Sequence, residues 1–171
     1  MTLLRLLASL GAILLVGCAS NDIPKEIASI FVEAPASLSG TMKQEVRLPV
    51  SQLTLSVLPR PLVLAEEILG TEAITSGDPD LRQEFLLVQL DRKAAVAVMN
   101  YSREAGGRYF VLVINDTAVG IMPIERQITD GNLMFHVEQK GLTNTQAVLD
   151  ISQRLNISAL KLRKLKEAES K

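Results

Sequence analysis

Cys18 is the chain's one cysteine and His136 its one histidine. Nucleophilic, acid–base or metal chemistry would therefore have to be built around a single copy of each. A lone thiol forms no internal disulfide, but its thiolate is the strongest nucleophile a side chain offers. His136 stands between Phe135 and Val137 in a strand-like run, and alternation turns it away from both, towards solvent. A serine–histidine–aspartate site would have to use it, yet no serine occupies a nucleophile-elbow pattern. One histidine and no spaced carboxylate cluster also make a poor metal set. Asp78 and Asp80 flank Pro79, without the 12-residue loop that calcium ligation of the EF-hand type requires. They are expected in a solvated turn. Glu66 and Glu67 are neighbours in sequence, so on a helix they diverge and do not form an acid–base pair. Gly106-Gly107 precedes no lysine–serine or lysine–threonine pair, which argues against a phosphate loop. No catalytic residue, metal ligand or cofactor site is expected, and the chain is not expected to be an enzyme.

The setting of Cys18 is more specific. Met1 to Arg5 supplies one positive charge, Leu6 to Leu15 is almost wholly apolar, and Leu15-Val16-Gly17-Cys18 follows. The apolar run is too short for a hydrocarbon core, which needs about 20 residues. A charged start, a short apolar core and small residues before a cleavage point are the pattern of a secretory signal. The run 15–18 resembles a bacterial lipobox. This resemblance implies that residues 1–17 are removed and that Cys18 becomes a lipidated N-terminus. Bacterial lipoproteins of this kind carry three acyl chains. Each buried CH₂ adds about 0.8 kcal/mol of membrane affinity, so such an anchor would be stable. Ala19 follows the cysteine where aspartate tends to retain Gram-negative lipoproteins at the inner membrane. The expected location is the outer membrane, facing the periplasm.

Of the 171 residues, 18 are basic and 19 acidic, for a net charge of −1. No basic excess exists to drive counterion release from nucleic acid. Tryptophan is absent and aromatics make up 4%, which leaves little to stack on bases. The length beyond residue 17 suffices for one domain with a real core.

The elements that must carry these residues follow from local pattern. Residues 18–26 form a lipidated start and short tether, and Ala28 to Val32 a strand. Ala34 to Gly40 is a loop, and Leu53 to Leu58 alternates as a strand. Leu62 to Thr75 fits either a short helix or a strand. Phe85 to Leu90 is a strand of the apolar, central kind. Asp91 caps a helix starting at Arg92, whose apolar face is Ala94, Val98, Tyr101 and Ala105. Gly106-Gly107 ends it. Tyr109 to Ile114 and Thr117 to Ile121 are strands joined by a tight turn at Asn115-Asp116. Pro123 is expected to break pairing, and Leu133 to Val137 is a further strand. Thr143 and Gln146 suit a capping box, followed by the helical face Ala147, Val148, Ile151 and Leu155. The domain is expected to span residues 27–157. A basic tail over 158–171, with Lys161, Arg163, Lys164, Lys166 and Lys171, is expected to be solvated or to meet anionic lipid near the anchor.

Residues 85–156 resemble the head subdomain of the first periplasmic domain of SecD, an accessory subunit of the protein translocase. Ser102 to Arg108 (SREAGGR) stands where that family has T-x-x-N-x-G-R, and the strand Tyr109 to Ile114 follows. Asn115-Asp116, Ala118-Val119, Pro123, Ile128 and Gly131 keep the order of the family's hairpin, strand, proline, isoleucine and glycine turn. Phe135 to Val137, Gly141, Leu142, Thr143, Gln146 and Ala147 keep the order of I-x-G-x-F-(S/T)-x-x-E-A. The departures are Ser102 for threonine, a hairpin without glycine, and Gln146 for glutamate. No second long apolar stretch stands for SecD's membrane helices, so proton-driven translocation is not expected. The resemblance implies a single small α+β domain, a mostly antiparallel sheet with two helices packed on one face. It also implies a capacity to contact extended polypeptide. The expected partners are membrane lipid, through acylated Cys18, and a protein or peptide. A structural subunit of an envelope complex, using the apolar-rich residues 50–75, is the alternative.

Overall fold

The computed structural model describes residues 24–78 and 82–169. Cys18, the segment 1–17, Ala19, Asp80 and Lys171 lie outside the described residues. The strands are β1 (Ala28–Val32), β2 (Gln44–Arg47), β3 (Thr54–Val57), β4 (Ile68–Ser76), β5 (Gln83–Leu90), β6 (Tyr109–Ile114), β7 (Thr117–Pro123) and β8 (Asn132–Val137). The helices are α1 (Arg92–Ser102) and α2 (Asn144–Glu169). Six strands make one sheet in the order β1-β6-β7-β8-β5-β4, and β2 pairs only with β3. All pairings are antiparallel. The fold is thus the expected α+β domain.

The strand register sorts side chains onto two faces, because successive residues alternate. Phe110 and Leu112 of β6, Leu86 and Val88 of β5, and Leu133 and Phe135 of β8 are fully buried on one face. Both helices pack there, through Ala94 and Val98 of α1 and Ala147, Val148, Ile151 and Leu155 of α2. Val111 and Val113 of β6 point the other way, beneath Leu55 and Val57 of the β2–β3 hairpin. That hairpin covers β6 and β7 on the helix-free face.

Local chemistry sets the element ends. The Asp91 carboxylate accepts from the Ala94 N–H at 2.8 Å and starts α1, a cap worth about 1 kcal/mol. Gly107 has φ +80° just beyond α1, where a Cβ would be strained. Asn115 and Asp116 both have positive φ, 46° and 64°, as a two-residue hairpin turn requires. The Thr143 N–H donates to Gln146 Oε1 at 3.0 Å and the Gln146 N–H to Thr143 Oγ1 at 3.3 Å, closing the reciprocal cap before α2.

Three sequence expectations change. Leu62 to Thr75 resolves into a short 3-10 turn at Ala65–Glu67 and the long edge strand β4. Pro123 does not break the pairing. It is the last residue of β7, still opposite Tyr109, at a strand end where a missing N–H is tolerated. α2 runs on through residue 158, where the tail was expected to begin, and buries Ser158 and Ala159. No described helix is long and apolar enough to cross a membrane.

Candidate functional site

The two edges of the sheet are treated differently. β1 is closed: the Ile30 N–H donates to the Val63 carbonyl at 3.0 Å, and the Leu62 N–H to the Ile30 carbonyl at 2.8 Å. β4 is closed over its first half only. The Thr71 N–H donates to Asn156 Oδ1 at 2.8 Å, and Asn156 Nδ2 donates to the Thr71 carbonyl at 2.8 Å. Ser152 Oγ also donates to that carbonyl, and Arg163 Nη2 donates to the Leu69 carbonyl. Side chains of α2 thus take the place of a further strand along Leu69–Thr71. Since Thr71 aims its N–H away from β5, Ala73 and Thr75 do the same by antiparallel alternation. From Ala73 onward no α2 side chain meets the edge among the described contacts, leaving a run of backbone donors and acceptors of the kind that templates strand addition.

The helix-free face beside this edge is mostly apolar, with Glu72 and His136 among its exposed residues. Ile74 lies opposite Phe85, the Phe85 and His136 rings meet edge-on at 6.1 Å and 67°, and His136 lies opposite Ile121. In the next row Glu72 lies opposite Leu87, and Leu87 opposite Met134. Phe85, Leu87 and Ile74 are half-buried and Met134 is 44% exposed.

Beyond Met134 the sheet splits. β7 and β8 pair at Gly120–Val137 and Ile121–His136, with a further bond from the Glu138 N–H to the Val119 carbonyl, and the strands then part around the loop 124–131. The result is an open cleft of about 570 Å³ walled by Met122, Arg126, Asp130 and Met134. Ser102 anchors this loop: its buried Oγ accepts from the Ile128 N–H at 2.9 Å. A hydroxyl is needed there, which gives a structural role to the serine that stands in place of the SecD threonine.

Apolar rows, a half-open edge and a cleft can hold an extended chain by backbone hydrogen bonds, with alternate side chains on the sheet. They supply no nucleophile–base pair. His136 is exposed and packed edge-on against Phe85, facing away from Phe135 and Val137 as alternation requires. Glu66 and Glu67 diverge: Glu66 is exposed, whereas Glu67 is buried. The Glu67 carboxylate accepts from the Leu64 N–H at 2.9 Å and from Lys93 Nζ at 2.6 Å. That hydrogen bond, with the attraction of the Glu67 charge, raises the Lys93 pKa above the ordinary lysine value. Asp78 is exposed, and among the described residues no group of histidine, cysteine and carboxylates could hold a metal ion.

Sequence reasoning missed the β4 clamp. Its signal was present as Ser152 and Asn156, two polar residues four apart beside the apolar stripe of α2, where Asn is a poor helix former and needs a partner. A second polar group ties the chain's start to α2: Arg154 pairs with Glu26 at 2.8 Å and Asp150 at 2.9 Å. Partial burial works against the Arg154 charge, but the hydrogen bonds that its guanidinium donates to the Glu26 and Asp150 carboxylates outweigh it and raise its pKa.

No protein-family model matches the chain, and no curated protein matches it. Two solved structures are similar to it at low sequence identity. One is the structure titled "Crystal structure of SecDF in Super-membrane-facing form", at TM-score 0.50 and 13% identity over 79% of this chain. The other is described as "a membrane component SecDF that enhances protein export", at TM-score 0.46 and 11% identity over 79% of this chain. The chain spans 18% of the first protein's length and 62% of the second's. The likeness to the first is one of fold alone, and it agrees with the SecD-head resemblance read from residues 85–156.

Proposed function

We propose that this chain is a lipid-anchored periplasmic protein whose domain is a non-catalytic module for binding or assembling polypeptide. The observation that carries the binding reading is the β4 edge, clamped at Leu69–Thr71 and open over Ala73–Ser76, continuous with the apolar rows of Ile74, Phe85, Leu87 and Met134. Backbone pairing supplies affinity without special side chains, and the apolar rows select for hydrophobic residues at alternate positions. The anchor reading rests on the sequence around Cys18, and Ala19 supports the outer membrane. Photo-crosslinking in cells tests the binding reading, with the crosslinker at Thr75 and Met134 and a control at Glu45 on the hairpin. Trapped polypeptide at Thr75 and Met134 alone is expected; equal or absent trapping at all three positions defeats the proposal.

A second reading, a structural subunit of a larger envelope complex, is favoured by the exposure of Val50, Leu53, Leu64 and Leu69. A subunit co-purifies with its complex in fixed ratio, and a binder of passing chains does not.

A further inference from the structure

The outer face of α2 carries an apolar stripe that no described element covers. Leu149, Ile157 and Leu160 are 56%, 50% and 56% exposed. At 100° per residue they fall within one quarter of the helix circumference, opposite Val148, Ile151 and Leu155 in the core. Lys164 lies on the same stripe, and Lys25 is exposed on the tether beside it. From Leu160 to Glu169 the helix carries four basic residues against Glu167 and Glu169. The outward side of α2 thus sets exposed leucine and isoleucine beside lysine, residue types that favour contact with an anionic membrane interface.

The start of the described chain says which surface is near. The Glu26 N–H donates to Ser158 Oγ at 3.2 Å, and the Glu26 carboxylate pairs with Arg154. Lys25 and Glu26 form one wall of a cleft of about 230 Å³ whose floor includes Ile157. The tether therefore leaves the domain beside Ile157 and Ser158. Cys18 stands six residues before Pro24, a reach of at most roughly 20 Å fully extended.

We propose that the outward face of α2 rests on the anionic surface of the bilayer holding the Cys18 lipid, with Leu149, Ile157 and Leu160 in the headgroup–acyl boundary. This deepens the anchored reading and rests on it. α2 and the open apolar rows lie on opposite faces of the sheet, so seating α2 on the membrane turns the candidate polypeptide site away from it.

The test uses the full-length mature protein in phosphatidylglycerol-containing vesicles. Acylation blocks the only native thiol, so Ile157→Cys, Leu160→Cys and Thr54→Cys each offer one site for an environment-sensitive dye. Thr54 is exposed on the hairpin, on the opposite face of the sheet. The expected result is blue-shifted emission, quenched by headgroup-attached nitroxide, at 157 and 160 and at neither for 54. Lys25→Glu with Lys164→Glu should weaken that contrast, as should vesicles of phosphatidylcholine alone. Equal quenching at 157, 160 and 54 overturns the proposal. So does a blue shift that appears without vesicles and grows with protein concentration, which would mean a second copy covers the stripe. The mass of the N-terminal peptide reports acylation separately. A free Cys18 thiol would overturn the anchor reading; with Cys18→Ser added to each dye variant, the vesicle contrast would then still decide where α2 sits.

Discussion

Replacing Asn156 with alanine removes the clamp on β4 while leaving the core intact. The side chain makes two short bonds to one backbone unit, both 2.8 Å, from the Thr71 N–H and to the Thr71 carbonyl. A net hydrogen bond contributes about 0.5–1.5 kcal/mol. Ser152 Oγ still donates to the carbonyl, so the N–H is the group left without a partner. Asn156 is only half-buried, and water reaches part of the gap. Asn156→Ala should therefore cost about 2 kcal/mol. For a domain of this size that is a fall in Tm of about 4–8 °C, taking about 2–4 °C per kcal/mol. Urea unfolding reads the loss as a lower midpoint at unchanged slope. Hydrogen exchange should show the Thr71 amide losing protection while Glu72, whose N–H points into the ladder with β5, keeps it. Thr71→Val separates backbone from side chain: it deletes the hydroxyl that meets Ser152 and, at 3.3 Å, Asn156 Oδ1 but keeps the N–H. Because that hydroxyl touches Asn156, the two substitutions should couple by about 0.5–1 kcal/mol, while Asn156→Ala alone still strips the Thr71 amide of its protection. A loss under about 0.5 kcal/mol for Asn156→Ala, or an unchanged Thr71 amide, refutes the clamp. The functional corollary is a longer open edge: crosslinking should spread from Thr75 back to Thr71.

Gly120→Ala should destabilise by about 1–3 kcal/mol through overpacking, because a Cβ there would lie 2.7 Å from Val137 Cγ1 and 3.0 Å from the His136 carbonyl; thermal unfolding checks it. Glu138→Gln should loosen the hairpin, since the carboxylate accepts from the Val50 and Ser51 N–H groups and from Ser51 Oγ. The expected cost is about 1–2 kcal/mol, with faster exchange confined to residues 48–55. The Lys93 pKa is raised in the folded protein, so its pairing with Glu67 contributes stability that is intact at neutral pH. It is lost only as the pH rises through the folded lysine value. Lys93→Gln should therefore unfold more easily than the parent at pH 7, and the gap should close in strong alkali.

The sequence made the second half of the domain readable because its elements are local. Asp91, Gly107, Asn115-Asp116 and the Thr143–Gln146 box each satisfy backbone groups within a few residues, so a cap or turn can be inferred without knowing the fold. The first half was less readable. β4 is an edge strand whose Thr71 is satisfied by residues more than 80 positions away, and neither alternation nor helical spacing marks such a partner. β2 escaped notice because Gln44–Arg47 has only Val46 as an apolar residue and pairs with nothing but β3. The candidate site was hidden for the same reason: it consists of free backbone and half-buried side chains, which have no motif. His136 was legible by contrast, because alternation alone places it.

The clamp and the stripe belong to one helix, and that joins the two proposals physically. Ser152, Asn156 and Arg163 hold β4 along one flank of α2, and Leu149, Ile157 and Leu160 lie on the adjoining outward flank. Pull the outward side onto a bilayer and the same rigid helix fixes where the open edge points. A helix of 26 residues is about 39 Å long at 1.5 Å per residue, so a tilt at the membrane is carried directly to the strand it holds. On these two proposals, seating α2 through its apolar stripe would do more than bring the domain close to the lipid. It would convert the proposed short tether at Cys18, which by itself would leave the domain free to rotate, into a fixed orientation. Ala73–Ser76 and the apolar rows would then face the compartment from which the proposed polypeptide partner arrives.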